Sequence, residues 1–175
     1  MYYGALEAGG TKMVCAIGDA DKNIIDRISI PTGTPDQSVP AMIDYFKKYD
    51  ISALGIGTFG PADINPNSPT YGSIMRSPKK DWEGFSLYKA FTDALGCLVV
   101  VDTDVNAAAW GEYLYGALKG LNSGMYLTVG TGIGGGIISD GRLIHGMEHP
   151  ETGHILIPRR TGDDIPCTCR FHQSC

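Results

Sequence analysis

The feature that most constrains this chain is a pattern that occurs twice. Short apolar runs of strand length, separated by glycine turns, stand at Tyr2 to Leu6, Met13 to Ile17 and Ile24 to Ile30. They recur at Met125 to Val129, Gly135 to Ile138 and Arg142 to Ile144. Sequential runs joined by tight turns pair as hairpins, so each set predicts a small meander. Between them the period changes. Val39, Met42, Ile43 and Phe46 mark a helix within Pro35 to Tyr49 that ends in Lys47-Lys48. Phe85 to Leu95 and Ala107 to Leu118 read as two more helices, and Ile51 to Phe59 and Cys97 to Val101 as buried strands. Ala62 to Trp82, rich in Asn, Pro, Ser and Lys, reads as a long functional loop or two short excursions. The order predicts an α/β fold with a mixed sheet and flanking helices. There is no statistical sequence repeat, but the architectural echo implies two related lobes, residues 1–117 and 118–175, the second incomplete.

Composition narrows the class. With 24 glycines in 175 residues, 43% hydrophobic and 19% charged residues, the chain is expected to fold as a globular protein. Fourteen Lys and Arg stand against 19 Asp and Glu, a net charge of −5, with both signs scattered, which argues against nucleic acid or an anionic membrane as partner. No apolar run approaches a membrane helix, and Met1 to Ala5 lacks a basic flank leading into a secretory segment. A cytoplasmic location is the expectation. The ending Phe171 to Cys175 reads as an interruption of a longer chain.

Two glycine loops carry the first chemical signal. Glu7-Ala8-Gly9-Gly10-Thr11-Lys12 lies between two predicted strands, where paired glycines let bare N–H groups approach an anion and Thr11 and Lys12 add a hydroxyl and a cation. Gly130-Thr131-Gly132-Ile133-Gly134-Gly135-Gly136 repeats the arrangement in the second half. Either loop alone is more often a plain turn; together they could grip one phosphate chain from both sides. Neither is a Walker A motif, and the second opens a strand rather than a helix, which disfavours a dinucleotide fold.

Acids gather after the second buried strand. Asp104 is a candidate general base and Asp102, two residues earlier, its rival. Asp104 equally suits the N-cap of the following helix, and Asn106, with an amide donor and a carbonyl acceptor, suits either a hydroxyl-bearing ligand or a cap. The other titratable cluster is His154 with Cys167, Cys169, His172 and Cys175, whose Cys169-x2-His172-x2-Cys175 spacing fits a tetrahedral zinc ion. With four protein ligands the site is closed and structural. Three free thiols at the end of the chain are the alternative. Cys15 and Cys97 read as buried small hydrophobes.

The Glu7-to-Lys12 loop, Gly55-Ile56-Gly57-Thr58-Phe59-Gly60-Pro61-Ala62-Asp63, Thr103-Asp104-Val105-Asn106-Ala107-Ala108-Ala109 and the Thr128-to-Ile137 loop resemble, in order, the motifs of ROK-family sugar kinases. Glu7 and the Cys-and-His ending are most similar to the family's bacterial fructokinases. The resemblance implies an actin-like ATPase fold of two ribonuclease H-like lobes with ATP and sugar in the cleft between them. It implies Asp104 as catalytic base, Glu7, Gly9, Gly10, Thr11, Lys12, Thr131, Gly132 and Gly134 around the phosphates and Mg²⁺, and Gly60, Pro61, Asn106 and Glu151 around the sugar. Thr70-Tyr71-Gly72 resembles a loop closing over the sugar, and Glu148 and His149 are nearby candidates or solvated loop residues. Zinc ligands carried over are His154, Cys169, His172 and Cys175, with Cys167 an alternative to His154. The implied activity is ATP-dependent phosphorylation of a hexose, first of all fructose at its 6-hydroxyl. Glucokinase, mannokinase, N-acetylmannosamine kinase and a sugar-binding lobe without catalysis are the alternatives. A homodimer is implied for the full-length protein.

Overall fold

A computed structural model describes residues 1–77, 79–130, 132–146 and 150–166. Strands β1 (Tyr2–Ala8), β2 (Lys12–Asp19) and β3 (Ile24–Pro31) form the antiparallel meander that the glycine turns predict. Strands β4 (Ile51–Thr58) and β5 (Leu98–Thr103) add to it in parallel, giving the order β3-β2-β1-β4-β5. Parallel neighbours need a crossover. Helix α1 (Pro35–Phe46) carries the chain to β4, and helix α2 (Leu87–Leu95) carries it to β5.

Alternation sets the faces. Leu6 and Ala8 of β1 are buried with Leu54 and Ile56 of β4 and Val99 and Val101 of β5, under Met42 and Phe46 of α1 and Phe91 of α2. Ala5 and Glu7 point the other way and are exposed. Trp82, fully buried, sits edge-on to Phe59 at 6.0 Å and Phe85 at 5.6 Å, and its Nε1 donates to the Gly33 carbonyl at 2.9 Å. The 62–82 segment is therefore tied to the sheet, with bridges Ala62↔Ile74 and Ser73↔Ser86.

Helix α3 (Asp104–Tyr115) packs on the opposite face of β4 and β5 and also on a second sheet, β6 (Gly124–Val129), β7 (Ile133–Ser139) and β8 (Arg142–Leu143). It starts three residues before the expected Ala107. The hydroxyl oxygen of Thr103 accepts from the Asn106 N–H at 3.2 Å, so the chain turns helical one residue beyond it. Helix α2, by contrast, starts two residues late, at Leu87, because Ser86 caps it through the Lys89 N–H at 3.1 Å and Phe85 is held against Trp82. Among the described residues no helix is long and apolar enough to cross a membrane.

Candidate active site

A cavity of about 690 Å³ opens where the carboxyl ends of β4 and β5 meet the β6–β7 hairpin. Gly10 and Thr11 line it from the first sheet, and Gly130, Gly132 and Gly134 from the second. Asp104 and Glu151 line the same space, with Phe59 and Gly60 at one side. The two glycine loops and the acid thus converge. Thr131 lies outside the described residues, as do Glu148, His149, Cys167, Cys169, His172 and Cys175.

The glycines differ in what requires them. Gly130 and Gly132 line the cleft with nothing within 4 Å of the position a Cβ would take, so their bareness serves the cavity rather than packing. Such a cradle fits a phosphate chain. Gly136 is bare for another reason: a Cβ there would lie 2.8 Å from the Ala109 Cβ and closer still to the Val105 carbonyl oxygen, so the glycine admits α3 against β7.

Other expected residues fall elsewhere. Glu7 lines a second cavity, of about 710 Å³, and Asp104, Val105 and Thr128 line both cavities. Gly9 and Lys12 close the β1–β2 turn through Gly9 N–H to Lys12 carbonyl at 3.0 Å, and neither lines the cleft. Pro61 follows a cis peptide, and its carbonyl accepts from the Met75 N–H at 2.8 Å. Asp63 receives the Ser68 and Thr70 hydroxyls at 2.5 and 2.6 Å and the Asn65 N–H at 3.1 Å. Burial alone would raise its pKa; those donors outweigh it and hold the carboxyl below the ordinary value. Thr70 to Gly72 is pinned to the first sheet instead of facing the cavity. The Tyr71 hydroxyl donates to the Val101 carbonyl at 2.9 Å and accepts from its N–H at 2.8 Å, capping the free edge of β5.

Asp102 and Asp104 differ in their surroundings. One carboxylate oxygen of Asp102 accepts from the Thr103 N–H and the Asn106 side-chain amide, both at 2.7 Å, and the other meets His145 Nε2 at 2.8 Å. Both oxygens are committed, the second to a residue just past β8, which joins the two sheets. Asp104 lines the cleft in the first turn of α3, one oxygen accepting from the Val105 N–H at 2.9 Å. Thr103, not Asp104, is the cap. Asn106 is fully buried, bonded to Asp102, and does not line the cleft.

Glu151 precedes a short 3₁₀ turn, Thr152–His154, whose last residue is His154. Among the described residues no group of three His, Cys, Asp or Glu is placed to hold a metal. Sequence reasoning missed Lys79, which lines the cleft beside Gly10, and His145. Neither sits in a local motif; only the packing of distant loops brings them in.

The chain matches the ROK family over residues 3–175. It belongs to that family. It is 42% identical over 175 residues to a fructokinase of Pediococcus pentosaceus, covering 100% of this chain and 61% of that one. A fructokinase of Lactococcus lactis subsp. cremoris is 44% identical over 176 residues, covering 100% of this chain and 60% of that one. The chain thus spans about three fifths of these relatives' length. The crystal structure of a ROK family glucokinase from Streptomyces griseus in complex with glucose and AMPPNP superposes with a TM-score of 0.77 at 32% identity, covering 90% of this chain and 51% of that one. The mixed α/β architecture is accordingly that of the actin-like ATPase fold.

Proposed function

We propose that the full-length protein transfers the γ-phosphoryl group of ATP to a hexose, with fructose the substrate and its 6-hydroxyl the acceptor. The observation that carries this reading is the convergence of two glycine loops, one from each sheet, on a single cleft lined by Asp104. Phosphoryl transfer asks for in-line placement, neutralised phosphate charge and a base for the departing proton. Gly10, Thr11, Gly132 and Gly134 would hold the phosphates, with Thr131, just before Gly132, the added hydroxyl. Asp104 would accept the hydroxyl proton. Glu151, with Gly60, would orient the sugar, and Asn106 would act through Asp102, keeping the start of α3 in place. Lys12 and Gly9 would shape the first loop, and Pro61 the loop after β4.

Mg²⁺ neutralises phosphate charge in such a transfer, and Glu7, which lines the second cavity together with Asp104, has the hard oxygen chemistry suited to its hydration shell. The ending of the chain supplies a donor set suited to zinc: His154, Cys169, His172 and Cys175, with Cys167 as substitute. A closed site there would stiffen the segment that bears Glu151. Residues 1–117 would form the first lobe and 118–175 the opening of the second, in a full-length protein that dimerises and works in the cytoplasm. Fructose as the substrate is supported by the two fructokinase relatives, while the glucokinase structure keeps glucose in the comparison.

A coupled kinase assay on the full-length protein with fructose, glucose, mannose and N-acetylmannosamine, with and without chelator, tests the reading. Fructose is expected to give the highest kcat/KM, and Asp104→Asn to lower kcat by at least about 10²-fold, the scale of general-base loss, at unchanged folding. Near-normal turnover by that variant would remove Asp104 from the reaction. Zinc is checked by metal analysis of the purified protein and by a lower melting temperature after chelation.

A further inference from the structure

We propose that Lys79 is a catalytic residue whose ammonium group engages the γ-phosphoryl group as it passes from nucleotide to sugar hydroxyl. This rests on the kinase reading above.

Lys79 lies at the meeting point of the two substrates. It lines the cleft with Gly10, Thr11, Gly60, Asp104 and Glu151, and its Cε is 3.8 Å from where a Cβ on Gly10 would stand. The ammonium group, one bond further on, is therefore beside the first phosphate loop and near the loop after β4.

Charge makes the position consequential. Asp104 and Glu151 are both cleft residues, and a nucleotide tail brings further negative charge into the same cavity. Lys79 is the one cationic side chain among the described residues that line it; Lys12, the cation expected from the first loop, does not. A preorganised cation aimed at charge that spreads over the transferring group lowers the barrier most, because its orientation is fixed before the reaction.

The backbone beneath it is built for such a role. The Ser77 hydroxyl oxygen accepts from the Lys79 N–H at 3.1 Å, and that buried serine also reaches the Lys79 carbonyl at 3.4 Å. The turn that follows, Lys80–Trp82, ends on the buried indole held by Gly33. The Gly84 N–H returns to the Ile74 carbonyl at 2.8 Å, closing the loop on itself. A fixed stem thus carries a half-exposed, reachable side chain.

In the step itself the sugar oxygen forms a bond to the γ-phosphorus, the bond from that phosphorus to the β,γ-bridging oxygen breaks with its electron pair leaving on ADP, and the hydroxyl proton passes to Asp104. Lys79 keeps its proton throughout and contributes hydrogen bonds and charge to the equatorial oxygens.

The test compares full-length wild type, Lys79→Met, Lys79→Gln and Lys79→Arg with ATP and fructose, alongside ADP affinity by calorimetry and melting temperature. The expected result is a fall in kcat of roughly 10²–10³-fold in the Met and Gln variants. Fructose KM and ADP affinity stay within about threefold of wild type, since the lost contact is made to the group in flight. Lys79→Arg, which keeps the charge, recovers part of the rate. Two results overturn the proposal: Met and Gln variants with kcat within about threefold of wild type, or a loss confined to fructose KM, which would make Lys79 a sugar contact. A wild-type protein that phosphorylates none of the four sugars would overturn the kinase reading and this inference together. An active wild type, an inactive Asp104→Asn and a normal Lys79→Met would overturn this inference alone.

Discussion

Gly57 offers a sharp way to test how the fold holds Asp104. It sits on β4 in register with Glu7 on one side and Asp102 on the other, and α3 crosses directly over it. A Cβ at position 57 would lie 3.0 Å from the Ala107 Cβ and 3.3 Å from the Asp104 Cα. Carbon atoms rest about 3.5–4.0 Å apart, so Gly57→Ala pushes the first turn of α3 outward by roughly 0.5–1 Å. Neither neighbouring atom can rotate away, because one is backbone and the other a Cβ. Overpacking of this kind costs about 1–3 kcal/mol. The same displacement carries Asp104, and misplacement of a reacting group by about 1 Å can cost on the order of 10²-fold in rate. Gly55→Ala is the matched control: it stands two residues earlier on the same strand face, where nothing lies within 4 Å of the added methyl. The prediction for the full-length protein is a kcat lowered by roughly 10- to 100-fold for Gly57→Ala with little change in sugar KM, and near-wild-type values for Gly55→Ala. Urea midpoints measured beside the coupled assay separate stability from rate. Equal kcat in the two variants would refute the idea that close approach of α3 to β4 sets the position of the acid.

Further outcomes follow from the same contacts. Tyr71→Phe removes the hydroxyl that caps the edge of β5 and leaves the Val101 N–H without its partner, which is expected to lower stability by about 1–3 kcal/mol in urea unfolding at unchanged m-value; a change below about 0.5 kcal/mol would show that water replaces the phenol. Burial pushes the Cys15 thiol up from 9.0 to about 12. The folded state therefore holds this proton where the unfolded chain loses it. Its stabilisation is present below pH 9 and is lost as pH rises toward about 12, and Cys15→Ala should flatten that alkaline limb of the urea midpoint. The Asp63 carboxyl, held below its ordinary 3.8, works in the opposite direction. Its contribution is present above that value and lost as pH falls below it, and Ser68→Ala with Thr70→Ala should weaken the acid dependence. An unchanged midpoint between pH 5 and pH 2 in wild type would count against it.

Local signals were legible wherever short-range physics decides. The short apolar runs became β1 to β8 within a few residues, since a run of strand length bounded by turn residues is a local signal. Helix α3 was the clearest miss in boundary. Asp104, Thr103 and Asn106 are all good capping residues, and only the hydroxyl geometry at Thr103 selects among them. The glycines of the second loop looked alike in sequence. Gly130 and Gly132 leave open space over the cleft, whereas Gly136 is required by the Val105 carbonyl and Ala109 of a helix that lies earlier in the chain. Asn106 reads as a sugar ligand by type; in the structure it is buried and its amide nitrogen donates to Asp102, while its amide oxygen is buried without a hydrogen-bond partner.

From its sequence alone the chain has its strand and helix order, its two glycine loops and its family, because those rest on spacing within a few residues and on motif order. Tertiary structure decided which acid faces the cleft, which glycines frame it and which cation enters it. Asp102 is bonded to His145, and Lys79 is delivered beside Gly10 by a loop folded back on Trp82. Such pairings join residues far apart in the chain, and no local pattern records them because the contacts that make them exist only once the sheets have packed.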